Sequence, residues 1–128
     1  MRVFKEKGFT RFQHKEGLND QALCRAIRDA AAGLIDADLG RGLIKQRVAR
    51  PGQGKRGGYR TIIAYRVKKR AVFLFGFAKS RKANLDPDEL DELAKRGAVW
   101  LAASNAMIER ALTTDELKEV DCGDEDEG

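Results

Sequence analysis

The sequence of 128 residues predicts an α+β domain in which helices pack on a small antiparallel sheet. Apolar residues recur at steps of three or four before residue 35 and after residue 86, which is typical of amphipathic helices. Between these regions, three segments rich in β-branched and aromatic residues are joined by short links, which favours an antiparallel meander. A hydrophobic content of 42% is ordinary for a chain with one core.

The N-terminal part predicts a short strand at residues 2–5 and a helix at residues 7–15. Asn19 or Asp20 can cap a second helix, because both side chains accept hydrogen bonds from free backbone N–H groups. The apolar face of this second helix consists of Leu23, Ile27, Ala30, Ala31 and Leu34.

Three strands are expected next, at residues 43–50, 59–67 and 71–78, and the last is the most apolar and therefore central. Alternation along the first strand places Lys45 and Arg47 on one face. We expect the N-terminal helices to cover one face of the sheet and the basic face to stay open.

The segment after the strands carries a helix start. Asp86 is the predicted N-cap, Pro87 the first helical residue, and Glu89 completes a capping box. A shorter helix is expected at residues 105–112. One domain is therefore predicted for residues 1–112, and the acidic segment 113–128 is predicted to be a disordered tail.

Charge is unevenly distributed along the chain. Residues 113–128 carry a net charge of −7, and residues 1–112 carry +12. From residue 40 to residue 85 there are fourteen Lys and Arg and no Asp or Glu. Because nothing inside this block neutralises it, the block predicts a polyanionic partner.

The centre of the basic block is the segment "RPGQGKRGGYRT", residues 50–61. Its G-x-G-x-x-G pattern does not predict a dinucleotide site, because a strand follows where a helix is required. It is not a P-loop either, because Ala49 replaces the first glycine and Arg56 replaces the Ser/Thr. What remains is contact with phosphates without a metal: glycines permit close approach, while Lys55, Arg56 and Arg60 supply charge.

Other classes of site have little support. The sequence has no metal-ligand spacing and no Ser-His-Asp set, so neither metal nor cofactor is expected. The single histidine, His14, is expected on a helix surface or in helix packing. Cys24 and Cys122 are expected to be reduced, and neither a signal peptide nor a membrane span is apparent, so a soluble cytoplasmic protein is predicted.

The stretch "GLIKQRVARPGQGKRGGYRTIIAYRVKKRAVFLFGFAKSRKANLDPDEL" resembles the RelE/ParE superfamily of toxins from type II toxin–antitoxin systems. It is most similar to the HigB-like branch, in which a "GKRGG-R" loop lies between two strands and an apolar strand ends in "G-F/Y-x-K". The resemblance covers about residues 1–103 and is specific over residues 43–90.

The resemblance implies a RelE-like fold and a metal-independent, ribosome-dependent mRNA endonuclease in which the RNA 2′-OH attacks the adjacent phosphate. It implies the ribosome and mRNA as partners, no membrane partner, and a cognate antitoxin, usually one with a helix-turn-helix domain. The family's catalytic set corresponds here to Lys55, Arg56, Arg60 and Lys79. Lys45, Arg47 and Arg81 are expected to contact RNA or the ribosome.

Within this set, Arg60 is assigned to the scissile phosphate, and Lys55 and Lys79 are candidates for proton transfer whose roles the sequence does not separate. The family's frequent active-site histidine and its tyrosine near the C-terminus have no counterpart. Tyr65 is expected in the core or in a sheet pair, with base stacking as the alternative, and Trp100 in helix packing. Two other functions stay open: a ParE-like gyrase poison and a non-catalytic RNA-binding protein.

Overall fold

The computed structural model describes residues 1–50, 54–78 and 84–123, except for the side chains of residues 54–57. It contains helices and strands in an α+β arrangement, which confirms the predicted fold class. In chain order the elements are β1 (Arg2–Glu6), α1 (Lys7–Glu16), α2 (Asp20–Ala31), β2 (Ala37–Gly40), β3 (Leu43–Arg50), β4 (Gly54–Arg66), β5 (Arg70–Ala78), α3 (Pro87–Ala102), α4 (Asn105–Thr113) and β6 (Leu117–Val120).

The strands form one sheet with the order β2-β3-β4-β5-β1-β6. The predicted three-strand meander corresponds to β3, β4 and β5, which are antiparallel neighbours. Strand β2, which was not predicted, pairs antiparallel with β3 at the edge. The sheet extends further than the sequence indicated. Strand β1 adds parallel to β5, and β6 then pairs antiparallel with β1 at the edge.

Helices α1 and α2 cover one face of the sheet, here called the α1/α2 face. Phe9 and Leu23 are fully buried there with Phe73 of β5. Gly76 allows α1 to approach closely, because a Cβ at this position would clash with the Phe12 ring. The N-cap of α2 is Asn19, whose side chain accepts from the backbone N–H of Ala22 at 2.9 Å.

Helices α3 and α4 pack on the opposite face, here called the α3/α4 face. Leu93 of α3 and Ile108 of α4 are buried there with Ile62 of β4. Gly97 brings α3 close to the sheet, since a Cβ there would lie 3.1 Å from the Cβ of Ala64. The expectation that only one face is covered is therefore wrong: helices bury much of both faces.

The start of α3 follows its predicted local chemistry. The Asp86 side chain accepts from the Glu89 N–H at 2.8 Å, and the Glu89 carboxylate accepts from the Asp86 N–H at 3.0 Å. This is the capping box expected from the sequence, with Pro87 in the first turn.

The segment from residue 113 is not wholly a disordered tail. Strand β6 occupies Leu117–Val120, and Leu117 and Val120 are buried. The four acids at positions 124–127 lie outside the described residues.

The expectation of reduced thiols is wrong. Cys24 of α2 and Cys122 form a disulfide with a Cα–Cα distance of 5.4 Å. Pairing of β6 with β1 places the end of the chain beside α2, so residues separated by 98 positions become neighbours. Reduced thiols therefore no longer support the cytoplasmic prediction.

Candidate nucleic-acid interface

Three of the predicted site residues, one catalytic and two RNA-contacting, lie together on the α3/α4 face, at its β3 end. Arg47 of β3 and Arg60 of β4 are direct cross-strand partners. Lys45 lies two residues before Arg47 and pairs with Ile62, so all three side chains project from the same face. Strand register therefore brings together basic residues from two segments of the chain.

Arg60 differs from the other two in its burial. Its side chain is 8% exposed, whereas that of Arg47 is 49% exposed. The Nη1 atom of Arg60 is buried and has no hydrogen-bond partner in the described part of the chain. A buried charged donor without an acceptor costs about 1–3 kcal/mol or more, and an anionic ligand that accepts from it would recover this cost.

The two arginines share one counter-ion, Asp36, which precedes β2. Its Oδ1 atom accepts from Nε of Arg47 at 3.1 Å, and its Oδ2 atom lies 3.7 Å from Nε of Arg60. The second contact is an ion pair and exceeds hydrogen-bond length. Like charges directly opposite each other on a sheet repel, and the carboxylate offsets this repulsion.

A β-bulge in β5 determines what lies on the other side of Arg60. The register shifts after Ile62, which pairs with Phe75, while the next residue of β4 pairs with Phe73. The extra residue in β5 places Phe77 directly opposite Arg60. Phe77 is buried, so Arg60 lies between an arginine on one strand and an apolar ring on the other.

The remaining predicted site residues are only partly described. Lys55 and Arg56 belong to β4, which begins at Gly54, earlier than predicted, but their side chains lie outside the description. Lys79 and Arg81 follow β5 and fall outside the described residues. Their placement relative to Arg60 therefore stays a prediction.

Asp36 belongs to the site but is not among the residues predicted from the sequence. The basic block contains no acid, but the fold supplies acids from outside it. Asp36 meets Arg47 and Arg60, and Asp91 of α3 accepts from Nη1 of Arg41 at 2.9 Å. The one signal in the sequence is that Asp36 lies just before the block.

Three further residues with a predicted role are His14, Trp100 and Tyr65. His14 is exposed on α1. Trp100 packs on the α3/α4 face and donates from Nε1 to a carboxylate oxygen of Glu6 at 2.7 Å. Tyr65 is buried in the core of the α1/α2 face, and this burial raises the pKa of its hydroxyl. The core role of Tyr65 is therefore confirmed.

Two other features are absent from the part of the chain that the structure describes: a metal-binding cluster and a membrane-spanning helix. Over residues 1–50, 54–78 and 84–123, no three His, Cys, Asp or Glu side chains come close enough to hold a metal ion. None of the helices in these ranges is long and apolar enough to cross a membrane.

Comparison with known proteins identifies a family. The family model described as RelE toxin of the RelE/RelB toxin–antitoxin system matches residues 1–120, which is most of the chain. A comparison with curated proteins gave no significant match.

Proposed function

Because this chain belongs to the RelE toxin family of RelE/RelB toxin–antitoxin systems, we propose that it is a ribosome-dependent mRNA endonuclease. Within the family, we propose that the chain belongs to the HigB-like branch. The observation that carries the proposal is the buried Nη1 of Arg60, which has no hydrogen-bond partner among the described residues and lies beside the exposed Arg47. Such a group suits an RNA phosphate, because a guanidinium binds phosphate oxygens through two parallel hydrogen bonds.

The proposed reaction is an internal transesterification. The 2′-oxygen loses its proton to a base and attacks the adjacent phosphorus. The bond from phosphorus to the 5′-oxygen breaks, and an acid protonates that oxygen. The products are a 2′,3′-cyclic phosphate and a 5′-hydroxyl. Extra negative charge develops on the phosphoryl oxygens in the transition state, where cations stabilise it most.

We assign a proposed role to each basic residue from its position and its chemistry. Arg60 is the proposed contact to the scissile phosphate, since sheet pairing on both sides fixes its backbone. Lys55 and Lys79 are the proposed proton-transfer groups, and Arg56 adds charge beside Lys55. Lys45, Arg47 and Arg81 are proposed to contact neighbouring phosphates of mRNA or the ribosome.

The partners follow from the same proposal. The antitoxin expected of this family would cover the basic residues at the β3 end of the α3/α4 face, and charge complementarity favours an acidic or amphipathic segment. A helix-turn-helix domain in that antitoxin is proposed from the HigB-like resemblance. The proposed site of action is the cytoplasm, because ribosomes and mRNA are there.

The test is primer extension on a defined mRNA with translating ribosomes and the purified protein. Wild type is expected to produce new 5′ ends within the reading frame, and Arg60→Ala is expected to lose them. Arg25→Ala is the matched control, because Arg25 is an exposed arginine on α2, the helix that packs on the opposite face.

Two results would overturn the proposal. Gyrase-dependent DNA breaks without mRNA cuts would favour the gyrase poison. Salt-sensitive RNA binding without cuts, equal in wild type and Arg60→Ala, would favour a non-catalytic binding protein.

A further inference from the structure

The cluster formed by Asp36, Arg47 and Arg60 contains an acid at the point where the proposed function needs an anion from RNA. If this carboxylate did nothing but screen the charges of the two arginines, its only effect would be to lower the affinity for RNA. Its contacts indicate another role. It meets both guanidinium groups at Nε, at 3.1 Å and 3.7 Å.

We infer that Asp36 is a positioning residue for the arginine pair. This inference rests on the proposed function for its effect on cleavage, although the geometry stands without it. Asp36 holds Arg47 beside Arg60 before RNA binds. The Nη1 donor of Arg60 has no hydrogen-bond partner in the part of the chain that the structure describes, so a phosphate oxygen that reaches this buried atom would bind it while Asp36 stays in place.

Local structure fixes Asp36 itself. Its backbone N–H donates to Oε1 of Gln46 at 3.0 Å. The amide nitrogen of Gln46 in turn donates to the carbonyl oxygens of Ala26 and Leu34, at 2.9 Å each. Gln46 is buried on β3, so this network ties Asp36 to β3, to α2 and to the segment after α2.

The two arginines depend on Asp36 to different degrees. Arg60 is enclosed, and its backbone pairs on both sides, so it stays in place without the carboxylate. The Arg47 side chain is long, flexible and half exposed. Within the described residues, Asp36 is the one group with which this side chain forms a hydrogen bond or ion pair. Loss of the carboxylate would therefore release Arg47 to many rotamers and away from the phosphate.

The inference is tested with Asp36→Ala and Asp36→Asn in the ribosome cleavage assay. Asparagine retains an oxygen that can accept from Nε of Arg47 but removes the charge. For Asp36→Ala we expect kcat to fall about ten- to hundredfold, since misplaced groups cost this much. The Kd of an uncleavable RNA with a 2′-deoxy substitution should stay within about twofold, because loss of an ordered Arg47 weakens binding while loss of the repelling carboxylate strengthens it. Asp36→Asn should recover part of kcat.

Asp91→Ala is the matched control. It also removes one carboxylate that pairs with a basic-block arginine, Arg41, but at an exposed position on α3. We expect wild-type kcat and Kd for this variant. If both Asp36 variants bind RNA more tightly with kcat unchanged, Asp36 is only a screening charge and the inference is overturned. Equal losses of kcat in both Asp36 variants would also overturn it.

A measurement without RNA separates this inference from the proposed function. The Nε–H resonances of Arg47 and Arg60 can be observed by NMR in the protein alone. A hydrogen-bonded, slowly exchanging Arg47 Nε–H in wild type that is lost in Asp36→Ala supports positioning, even if the protein does not cut mRNA. A fast-exchanging Arg47 Nε–H in wild type contradicts it. Thermal unfolding confirms that the variants are folded.

Discussion

A disulfide between Cys24 and Cys122 joins α2 to the segment that follows the edge strand β6. Cys122 lies two residues beyond the end of this strand. The bond closes a loop of 98 residues and so includes most of the fold. Cross-links of long loops restrict the unfolded chain strongly, and native disulfides typically contribute about 2–4 kcal/mol. The disulfide therefore fastens the C-terminal strand to the body of the domain.

Reduction of this bond is expected to lower the free energy of unfolding by about 2–4 kcal/mol. Urea denaturation with and without a reductant measures the change. The double variant Cys24→Ser/Cys122→Ser is the control, because its unfolding should not respond to the reductant. An unchanged midpoint for wild type in reductant would show that the bond does not stabilise the fold.

Two buried tyrosines provide a matched pair for hydrogen bonding. The Tyr65 hydroxyl has no partner among the residues that the structure describes, whereas Tyr59 donates to Glu16 at 2.9 Å and accepts from Arg50 at 3.2 Å. Tyr65→Phe should leave stability unchanged or raise it by about 1 kcal/mol, and Tyr59→Phe should lower it by about 1–2 kcal/mol. Chemical denaturation of both variants tests this. A loss for Tyr65→Phe as large as that for Tyr59→Phe would contradict the arrangement.

Stability should depend on pH through Glu119 of β6. Hydrogen bonds from Arg2 hold the pKa of this carboxyl below its ordinary value, against the opposing effect of burial. A carboxyl whose pKa is lowered by folding stabilises the protein above its unfolded pKa of about 4.5, and this contribution is lost as pH falls through the folded pKa.

Glu119→Gln tests this dependence. The variant should be less stable than wild type above about pH 5, and the difference should disappear at lower pH. Thermal unfolding from pH 3 to pH 7 measures it. A difference that stays constant over this range would mean that ionisation of Glu119 is not its cause.

Local signals in the sequence predicted the elements well. The bounds of β3 and the capping box of α3 were correct because residue pattern and cap chemistry act within a few positions. Strands β2 and β6 were missed, since each has four residues and pairing with a neighbour, not their own composition, makes them strands.

The site was less predictable for the same reason. Alternation placed Lys45 and Arg47 on one face, as the structure has them. However, the role of Asp36, the burial of Arg60 and the position of Phe77 depend on strand register and a bulge. These features arise only when separate segments pack, so a single sequence gave no direct sign of them.

The most direct test of the account is the single-turnover rate of mRNA cleavage by Arg60→Lys on programmed ribosomes. Lysine retains the positive charge but cannot form two parallel hydrogen bonds to a phosphate. With Arg25→Lys as the reference, we expect cleavage to slow by about ten- to hundredfold, from the loss of one charged hydrogen bond. A rate for Arg60→Lys equal to that of wild type would contradict the claim that Arg60 binds the reacting phosphate.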